Sequence, residues 1–481
     1  MLFNSFEFLF FLPLVWCVYW LSRGHLRLQN LLIVVASYVF YGWWDWRFLL
    51  LIAFTSAWSY VVGLVELRRW EAKPSRLLLT VSLLVNLGIL GYFKYFNFFV
   101  DSFVSFAQVC LPSSLVPRPS SLDIILPVGI SFYTFQALSY TIDVYRRKIR
   151  PTRDPLAFFA FISFFPQLVA GPIERATTLL PQFLMPRRFD YPQAVLGCRQ
   201  MLWGFFKKMV VADNCAIVAN LYLNDPTMDN GLMRLCGVLL FAFQIYGDFS
   251  GYSDIAIGCA RLFGVRLMRN FSFPYFSRDI AEFWRRWHIS LTTWFRDYLY
   301  IPLGGSRCGK GRQIRNTFAI FLVSGLWHGA NWTFVCWGAF HAFLFLPLLL
   351  GGRNREHLAV IAEDRAVPSF GELFRMLSTF LFVLAGWLLF RASDLSEAGR
   401  WIVEILDFGG YALPIDFPHA GRVAFPMVGL MLAVEWFNRR EQFGFARYPR
   451  SAAPRWLLYY ALVCLICFYS PGSQSFVYFQ F

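Results

Sequence analysis

Ser324-Gly-Leu-Trp-His-Gly-Ala-Asn-Trp-Thr-Phe-Val-Cys-Trp-Gly-Ala-Phe-His-Ala sets a histidine, His328, inside a run that otherwise reads as membrane. Phe318-Ala-Ile-Phe-Leu-Val precedes it and Thr333 to Leu350 follows, with no Asp, Glu, Lys or Arg between Asn316 and Gly352. A membrane helix needs about 20 apolar residues, so Phe318–Leu350 predicts two passes turning around Gly329-Ala-Asn. An ionisable side chain at membrane depth is costly and marks function by default. The plainer alternative is a histidine that only hydrogen-bonds between helices.

The rest of the chain has the same character. It has 481 residues, 57% hydrophobic, 20% aromatic and only 15% charged. Soluble domains carry about a quarter charged residues. Apolar runs recur from end to end with short polar gaps. The expected fold class is therefore all-α, one polytopic membrane domain over residues 1–481. The candidate chemistry concentrates at about 240–345. The formal charge of +15 marks cytoplasmic loops first. No soluble basic face is present, which excludes a nucleic-acid partner. Ten cysteines are scattered, mostly in apolar runs. Cys464 and Cys467 read as small apolar residues one turn apart. No zinc spacing and no H-E-x-x-H occurs, so no metal is expected. Met1-Leu-Phe-Asn-Ser-Phe-Glu lacks a basic start, and Phe6–Leu21 reads as a retained helix.

About a dozen membrane segments follow from the length rule, some of them re-entrant. They are Phe6–Leu21, Leu31–Tyr41, Phe48–Val65, Leu77–Val100, Ile124–Tyr145, Leu156–Ile173, Val195–Leu223, Leu232–Phe263, the pair within Phe318–Leu350, Phe370–Phe390, Val423–Phe437 and Trp456–Tyr469. Lys and Arg cluster after the first, third and fifth segments and before the last. By contrast, 101–123 holds one Arg. Positive-inside then predicts an external N-terminus, a cytoplasmic 146–153 loop and an external tail after Tyr469.

Residues 261–315 differ, with eleven basic and three acidic residues, a net of +8. Within them, Trp284, Trp287, Leu291, Trp294, Tyr298 and Ile301 recur at spacings of three and four. That predicts one amphipathic helix on the membrane surface or capping a cavity. His288 flanks the stripe and can point inward. Upstream, Tyr246-Gly-Asp-Phe-Ser-Gly-Tyr-Ser-Asp places Asp248, Tyr252 and Asp254 in an apolar run. Gly247 and Gly251 give the spacing that lets two helices approach closely. Asp248 and Tyr252 are read as support for a site. Asn331 and Trp327, beside His328, are read the same way.

Gly304-Gly-Ser-Arg-Cys-Gly-Lys-Gly nearly matches a P-loop but fails at Gly311, where Ser or Thr must bind magnesium. An NTPase is rejected. Arg307, Lys310 and Arg312 remain candidates for a phosphate-bearing donor, against a plain turn with cytoplasmic charges. No G-x-S-x-G elbow, no Asp-x-Asp and no H-x-x-x-x-D is present. What remains is histidine chemistry in a membrane cavity. A buried neutral imidazole can take a proton from a hydroxyl, because desolvation lowers its pKa. The oxygen then attacks an activated acyl group, most simply a thioester.

Asp248-Phe-Ser-Gly-Tyr-Ser-Asp, Phe283-Trp-Arg-Arg-Trp-His-Ile-Ser-Leu, Trp294-Phe-Arg-Asp-Tyr-Leu-Tyr-Ile-Pro-Leu-Gly-Gly and Leu326-Trp-His-Gly resemble the membrane-bound O-acyltransferase (MBOAT) family. The likeness is closest to its bacterial alginate O-acetylase branch. It extends to Met1-Leu-Phe-Asn-Ser, Phe164-Phe-Pro-Gln-Leu-Val-Ala-Gly-Pro-Ile and Tyr478-Phe-Gln-Phe. The resemblance implies a multi-helix fold with a central tunnel, and matches His328 and His288 to the two motif histidines. It implies no bound cofactor. The donor would be a cytoplasmic thioester, acetyl-CoA or an acyl carrier protein. The acceptor would lie on the far side of a bacterial inner membrane. A periplasmic or extracellular acetyltransferase of an exopolysaccharide pathway would be the partner. At Phe340-His-Ala the chain departs from the His-Gly of many relatives. D-alanyl transfer in a teichoic-acid pathway is the alternative within the class. A transporter or a scaffold is the alternative outside it, although no repeated halves are visible.

Overall fold

Long apolar runs in lipid must satisfy their own backbone hydrogen bonds, and helices do so within each segment. The computed structural model describes residues 1–110, 122, 124–169, 171–413, 418–472, 474, 476 and 477. Among them are twenty α-helices and no strand. Seven helices are long and apolar enough to cross a membrane: Trp46–Arg68, Arg76–Cys110, Gly231–Leu262, Trp332–Leu350, Phe370–Arg391, His419–Phe437 and Ala452–Tyr469. Phe6–Leu21, Leu26–Gly42 and Pro155–Leu168 are apolar but shorter. The closing Tyr478-Phe-Gln-Phe, Ala170 of the upstream motif and most of the 101–123 gap lie outside the described residues.

The chain divides into two compact units, one of Met1 with Phe10–Arg188, the other of Leu2–Leu9 with Phe189–Phe481. Helix α1 (Phe6–Leu21) belongs to both. The first unit adds α2 (Leu26–Gly42), α3 (Leu49–Arg68), α4 (Arg76–Leu90), α5 (Phe96–Cys110), α6 (Ile130–Tyr145), α7 (Pro155–Ser163), α8 (Phe165–Leu168) and α9 (Ala176–Leu184). A wide turn at Gly91–Tyr95, carrying Lys94, joins α4 to α5. The single segment expected over Leu156–Ile173 is broken. Phe164 leaves the helix with ψ 107, and Pro166 has no N–H to continue the ladder. The freed Phe165 N–H donates to the buried Ser37 hydroxyl at 3.0 Å. Buried amides bond across helices in the same way: Gln136 Nε2 donates to the Phe161 carbonyl at 2.6 Å and Gln167 Nε2 to Gln136 Oε1 at 3.0 Å.

The second unit holds α10 (Tyr191–Phe205), α11 (Asp213–Leu223), α12 (Gly231–Leu262), α13 (Ile280–Arg286), α14 (Ile289–Phe295), α15 (Lys310–His328), α16 (Trp332–Leu350), α17 (Phe370–Arg391), α18 (Leu395–Leu406), α19 (His419–Phe437) and α20 (Ala452–Tyr469). Helix α12 is its axis. Its apolar window is 78% buried inside the protein, against 6% for α20, which marks α20 as a peripheral helix. Glycines explain how α12 reaches the centre. A Cβ on Gly251 would lie 2.8 Å from the Gly204 carbonyl oxygen of α10, and one on Gly204 2.6 Å from the Gly251 carbonyl oxygen. Gly258 and Gly197 meet in the same way one heptad along. Gly251→Ala is expected to lower stability by about 1–3 kcal/mol, because backbone cannot yield as a side chain can. Gly429→Ala on α19 meets nothing within 4 Å and is expected to be neutral or slightly stabilising. Unfolding midpoints of the two variants in detergent check the contrast.

The amphipathic helix expected from Trp284 to Ile301 is not continuous. Trp287 is extended (φ −99, ψ 129) and His288 adopts φ 43, ψ 53, so α13 and α14 are separate pieces. A wide turn follows at Arg296–Tyr300. The two segments expected within Phe318–Leu350 correspond to the end of α15 and to α16, of which α16 is among the seven helices long and apolar enough to cross a membrane. Asn331 caps α16, accepting from Thr333 N–H at 3.1 Å. A Cβ on Gly329 would strike the Phe334 ring, and one on Gly325 the Phe334 carbonyl oxygen. The sharp turn after His328 therefore requires small residues.

Candidate active site

The break at His288 and the end of α15 bring the two histidines together. Their ring centroids are 6.5 Å apart with planes at 62°. Both are buried, at 1% and 4% exposure. His328 sits in an aromatic box, 5.0 Å from Trp327, 5.2 Å from Trp337 and 5.4 Å from Phe390. Trp337 in turn touches His341 at 5.0 Å, and His341 packs edge-on against Trp284 at 5.0 Å. Trp327 also lies 5.9 Å from His288, so it faces both imidazoles.

His288 holds a left-handed backbone conformation that only a well-determined surrounding sustains. Asn270 supplies much of it. Asn270 Oδ1 accepts from Ser290 N–H at 3.3 Å and Ser290 Oγ at 2.9 Å. Its Nδ2 donates to Ser253 Oγ on α12 at 3.1 Å. The backbone is tied too, with Ile289 N–H donating to the Asn270 carbonyl at 2.8 Å and Ser272 N–H to the Arg286 carbonyl at 2.9 Å. Because the Asn270 oxygen faces these donors, His288 Nδ1, 3.1 Å away, must carry the proton it donates. Helices α13 and α14, which flank His288, are only seven residues each, too short to span. Burial there pushes the His288 pKa down to about 3. The ring is therefore neutral, and its Nε2 presents a lone pair without a hydrogen-bond partner among the described residues.

The other predicted supporting residues serve differently. Asp248 binds Lys208 Nζ at 2.7 Å and accepts from Val477 N–H at 2.7 Å. The Tyr252 ring lies 4.3 Å from Phe476. These two dock the C-terminal segment, while their neighbours on α12, Phe249 and Ser253, serve His288: Phe249 packs 4.6 Å from its ring. Asn331 Nδ2 donates to the Ser393 carbonyl at 2.7 Å, so this side chain holds a turn. Sequence reading missed Asn270, Ser290 and Phe390. Ser290 lies within the Phe283–Leu291 motif but was not singled out, while Asn270 and Phe390 approach the histidines only in three dimensions.

A cavity of about 490 Å³ is walled by chain neighbours of the two histidines, although neither histidine lines it. Trp284, Ile289 and Ser324 form part of its wall; Ile289 adjoins His288, and Ser324 lies one turn before His328. Ile320, Phe321 and Phe345 supply apolar surface. Arg285, Arg296 and Arg355 supply charge. Arg307, Lys310 and Arg312 are exposed and do not line it. The basic glycine stretch is instead a surface turn, with Gly304 and Gly305 at φ 111 and 56. Among the described residues no group of His, Cys, Asp and Glu could hold a metal ion.

The profile of the membrane-bound O-acyltransferase family matches residues 146–383. A probable alginate O-acetylase of Pseudomonas putida is 41% identical over 463 residues, 94% of this chain and 90% of the relative. The chain belongs to the membrane-bound O-acyltransferase family. A second probable alginate O-acetylase, from Azotobacter vinelandii, is 42% identical over 95% of this chain and 88% of its own. A peptidoglycan O-acetyltransferase of Helicobacter pylori is 33% identical over 86% and 81%. With the apolar helices, these likenesses make the protein a multi-pass membrane O-acyltransferase, and the transporter and scaffold alternatives fall away. For an O-acyltransferase, two buried imidazoles 6.5 Å apart are a fitting arrangement: one nitrogen can handle the acceptor proton while the other ring bonds a substrate.

Proposed function

We propose that the chain moves an acetyl group from a cytoplasmic thioester, acetyl-CoA or an acetylated carrier protein, to a hydroxyl reached from the far side of a bacterial inner membrane. The end product would be an O-acetylated exopolysaccharide such as alginate, with a periplasmic or extracellular acetyltransferase as partner. The observation that carries this is the buried His288–His328 pair, whose chain neighbours wall a cavity with both apolar and arginine lining. The 41–42% identity to alginate O-acetylases favours an exopolysaccharide route over D-alanyl transfer to teichoic acid.

In this mechanism His328 takes the proton of the acceptor hydroxyl as its oxygen attacks the thioester carbonyl. His288, neutral and held by Asn270, directs Nε2 toward a substrate N–H or O–H. The tetrahedral intermediate collapses, the C–S bond breaks, and the thiolate leaves with the proton from His328. An ester and a free thiol result. The test is acceptor-dependent release of thiol from acetyl-CoA and from acetylated carrier, using purified protein in nanodiscs. Transfer of D-alanine but not acetate would overturn the acetyl assignment.

Charges lining the cavity should act on donor binding. Arg296→Gln with Arg355→Gln is expected to raise the donor KM about 3–10-fold with little change in kcat. Replacing Arg307, Lys310 and Arg312 together should change it less than about twofold, because they stand outside the cavity wall. Steady-state kinetics with acetyl-CoA decide; the reverse ranking would move donor binding to the glycine turn.

A further inference from the structure

A second cavity, of about 390 Å³, is lined by Arg261, Arg266 and Arg269 with Gln193, Gln200 and Gln442. Leu196, Ile257 and Leu267 complete its wall. No carboxylate lines it, and it shares no residue with the cavity beside the histidine pair. The nearest acid in the network, Asp254, is already engaged by Lys207 Nζ at 2.6 Å and by Gln200 Nε2 at 2.8 Å. Arg261 uses one nitrogen on Gln442 Oε1, at 2.7 Å. Its Nη1 is buried and bonded to nothing among the described residues. Arg269 Nε donates to the Phe271 carbonyl at 2.6 Å, while its buried Nη2 is likewise unbonded. Buried donors without partners are costly, and more so when charged. Arg266 repels Arg261, while Asp254 counters the charge on Arg261 and Arg269; an entering anion would add to that counter-charge. The planar N–H forks of the arginines suit phosphate oxygens. The volume is roughly ten times the share of one water molecule, enough for a phosphate with an organic substituent.

We propose that this cavity is a binding site for a phosphate group on a small organic moiety, either a soluble phosphate ester or a phospholipid headgroup. The site connects to the chemistry by the chain itself. Arg269 precedes Asn270, whose side chain holds His288, and Arg269 holds the carbonyl of Phe271, whose ring packs 5.0 Å from Trp287. A phosphate on Arg269 would therefore stiffen the segment 269–272 that fixes the left-handed turn at His288. The assignment does not depend on the identity of the acyl donor.

The test uses the full chain purified in detergent. Its unfolding midpoint is measured with sodium phosphate, and with glycerol 3-phosphate, against sodium chloride at equal ionic strength. In a second arm, mixed micelles contain phosphatidylglycerol or phosphatidylcholine. A rise of about 1–3 °C is expected with at least one phosphate probe. It should vanish in Arg261→Gln and in Arg269→Gln and persist in Arg355→Gln, which alters only the other cavity. A rise with the soluble probes assigns the source to a free phosphate ester, and a rise confined to phosphatidylglycerol assigns it to lipid. Coincident midpoints for the wild-type chain under all conditions would overturn the proposal without using any variant. So would a rise that survives Arg261→Gln but is lost in Arg355→Gln. Loss of acetyl transfer with the phosphate response intact would instead count against the donor assignment alone.

Discussion

His328→Gln is expected to lose acyl transfer by about 10²–10⁴-fold, the usual contribution of a general base. Glutamine approximates the reach of the imidazole and keeps a hydrogen-bonding group, but its amide has no basic nitrogen. His328→Ala should be as inactive. Both proteins should still fold, insert and bind donor, because the aromatic box of Trp327, Trp337 and Phe390 does not depend on the ring's basicity. The measurement is single-turnover transfer beside equilibrium donor binding. Near wild-type transfer by His328→Gln would remove the general-base role.

The second large effect is expected at His288. Its replacement should lower kcat by about 10²-fold, near the lower end of what a positioned imidazole supplies. Alanine alone is an ambiguous probe, because the φ of 43 strains any ordinary residue by about 1–2 kcal/mol. His288→Asn separates the causes, since asparagine visits the left-handed region readily. If strain were the whole effect, His288→Asn would restore activity; a chemical role leaves both variants slow. Asn270→Leu should imitate the loss through kcat with donor KM unchanged, because it frees the ring to turn without touching the donor cavity. An unchanged kcat in Asn270→Leu would mean that the turn at His288 is held by backbone alone.

Helix class and membrane character were legible in the chain because lipid leaves few solutions for a long apolar run. The helix–turn–helix around Gly329-Ala-Asn was legible for a more local reason. Each helix is long enough to satisfy itself, and the turn needs glycine where Phe334 approaches. His328 stood out by the same logic, as an ionisable residue with no acid or base for many residues on either side. Gly251 could be read as a packing glycine, although its partner Gly204 could not be named, since spacing on one helix does not specify the facing one.

The failures share a cause. The stripe from Trp284 to Ile301 has a helical period, yet the chain breaks at Trp287–His288. Periodicity reports which side chains seek burial, not whether the backbone stays regular while they find it. Here the bonds from Ser290 and Ile289 to Asn270 hold a left-handed residue that local preference disfavours. Leu156–Ile173 broke for a similar reason, with Ser37 taking the amide released at Phe165. The position of charge is legible in another, weaker way. A loop rich in Lys and Arg declares its net charge but not its direction, so Arg307, Lys310 and Arg312 drew attention while Arg285, Arg296 and Arg355 line the cavity. Sequence by itself determined the helical class and the membrane setting, and it singled out the two histidines as candidates, because those follow from composition, length and motif. Tertiary structure decided that the histidine rings come within 6.5 Å of each other, that Asn270 orients one of them and that two sets of arginines line separate cavities. Those facts depend on contacts between residues distant along the chain, which local preference does not encode.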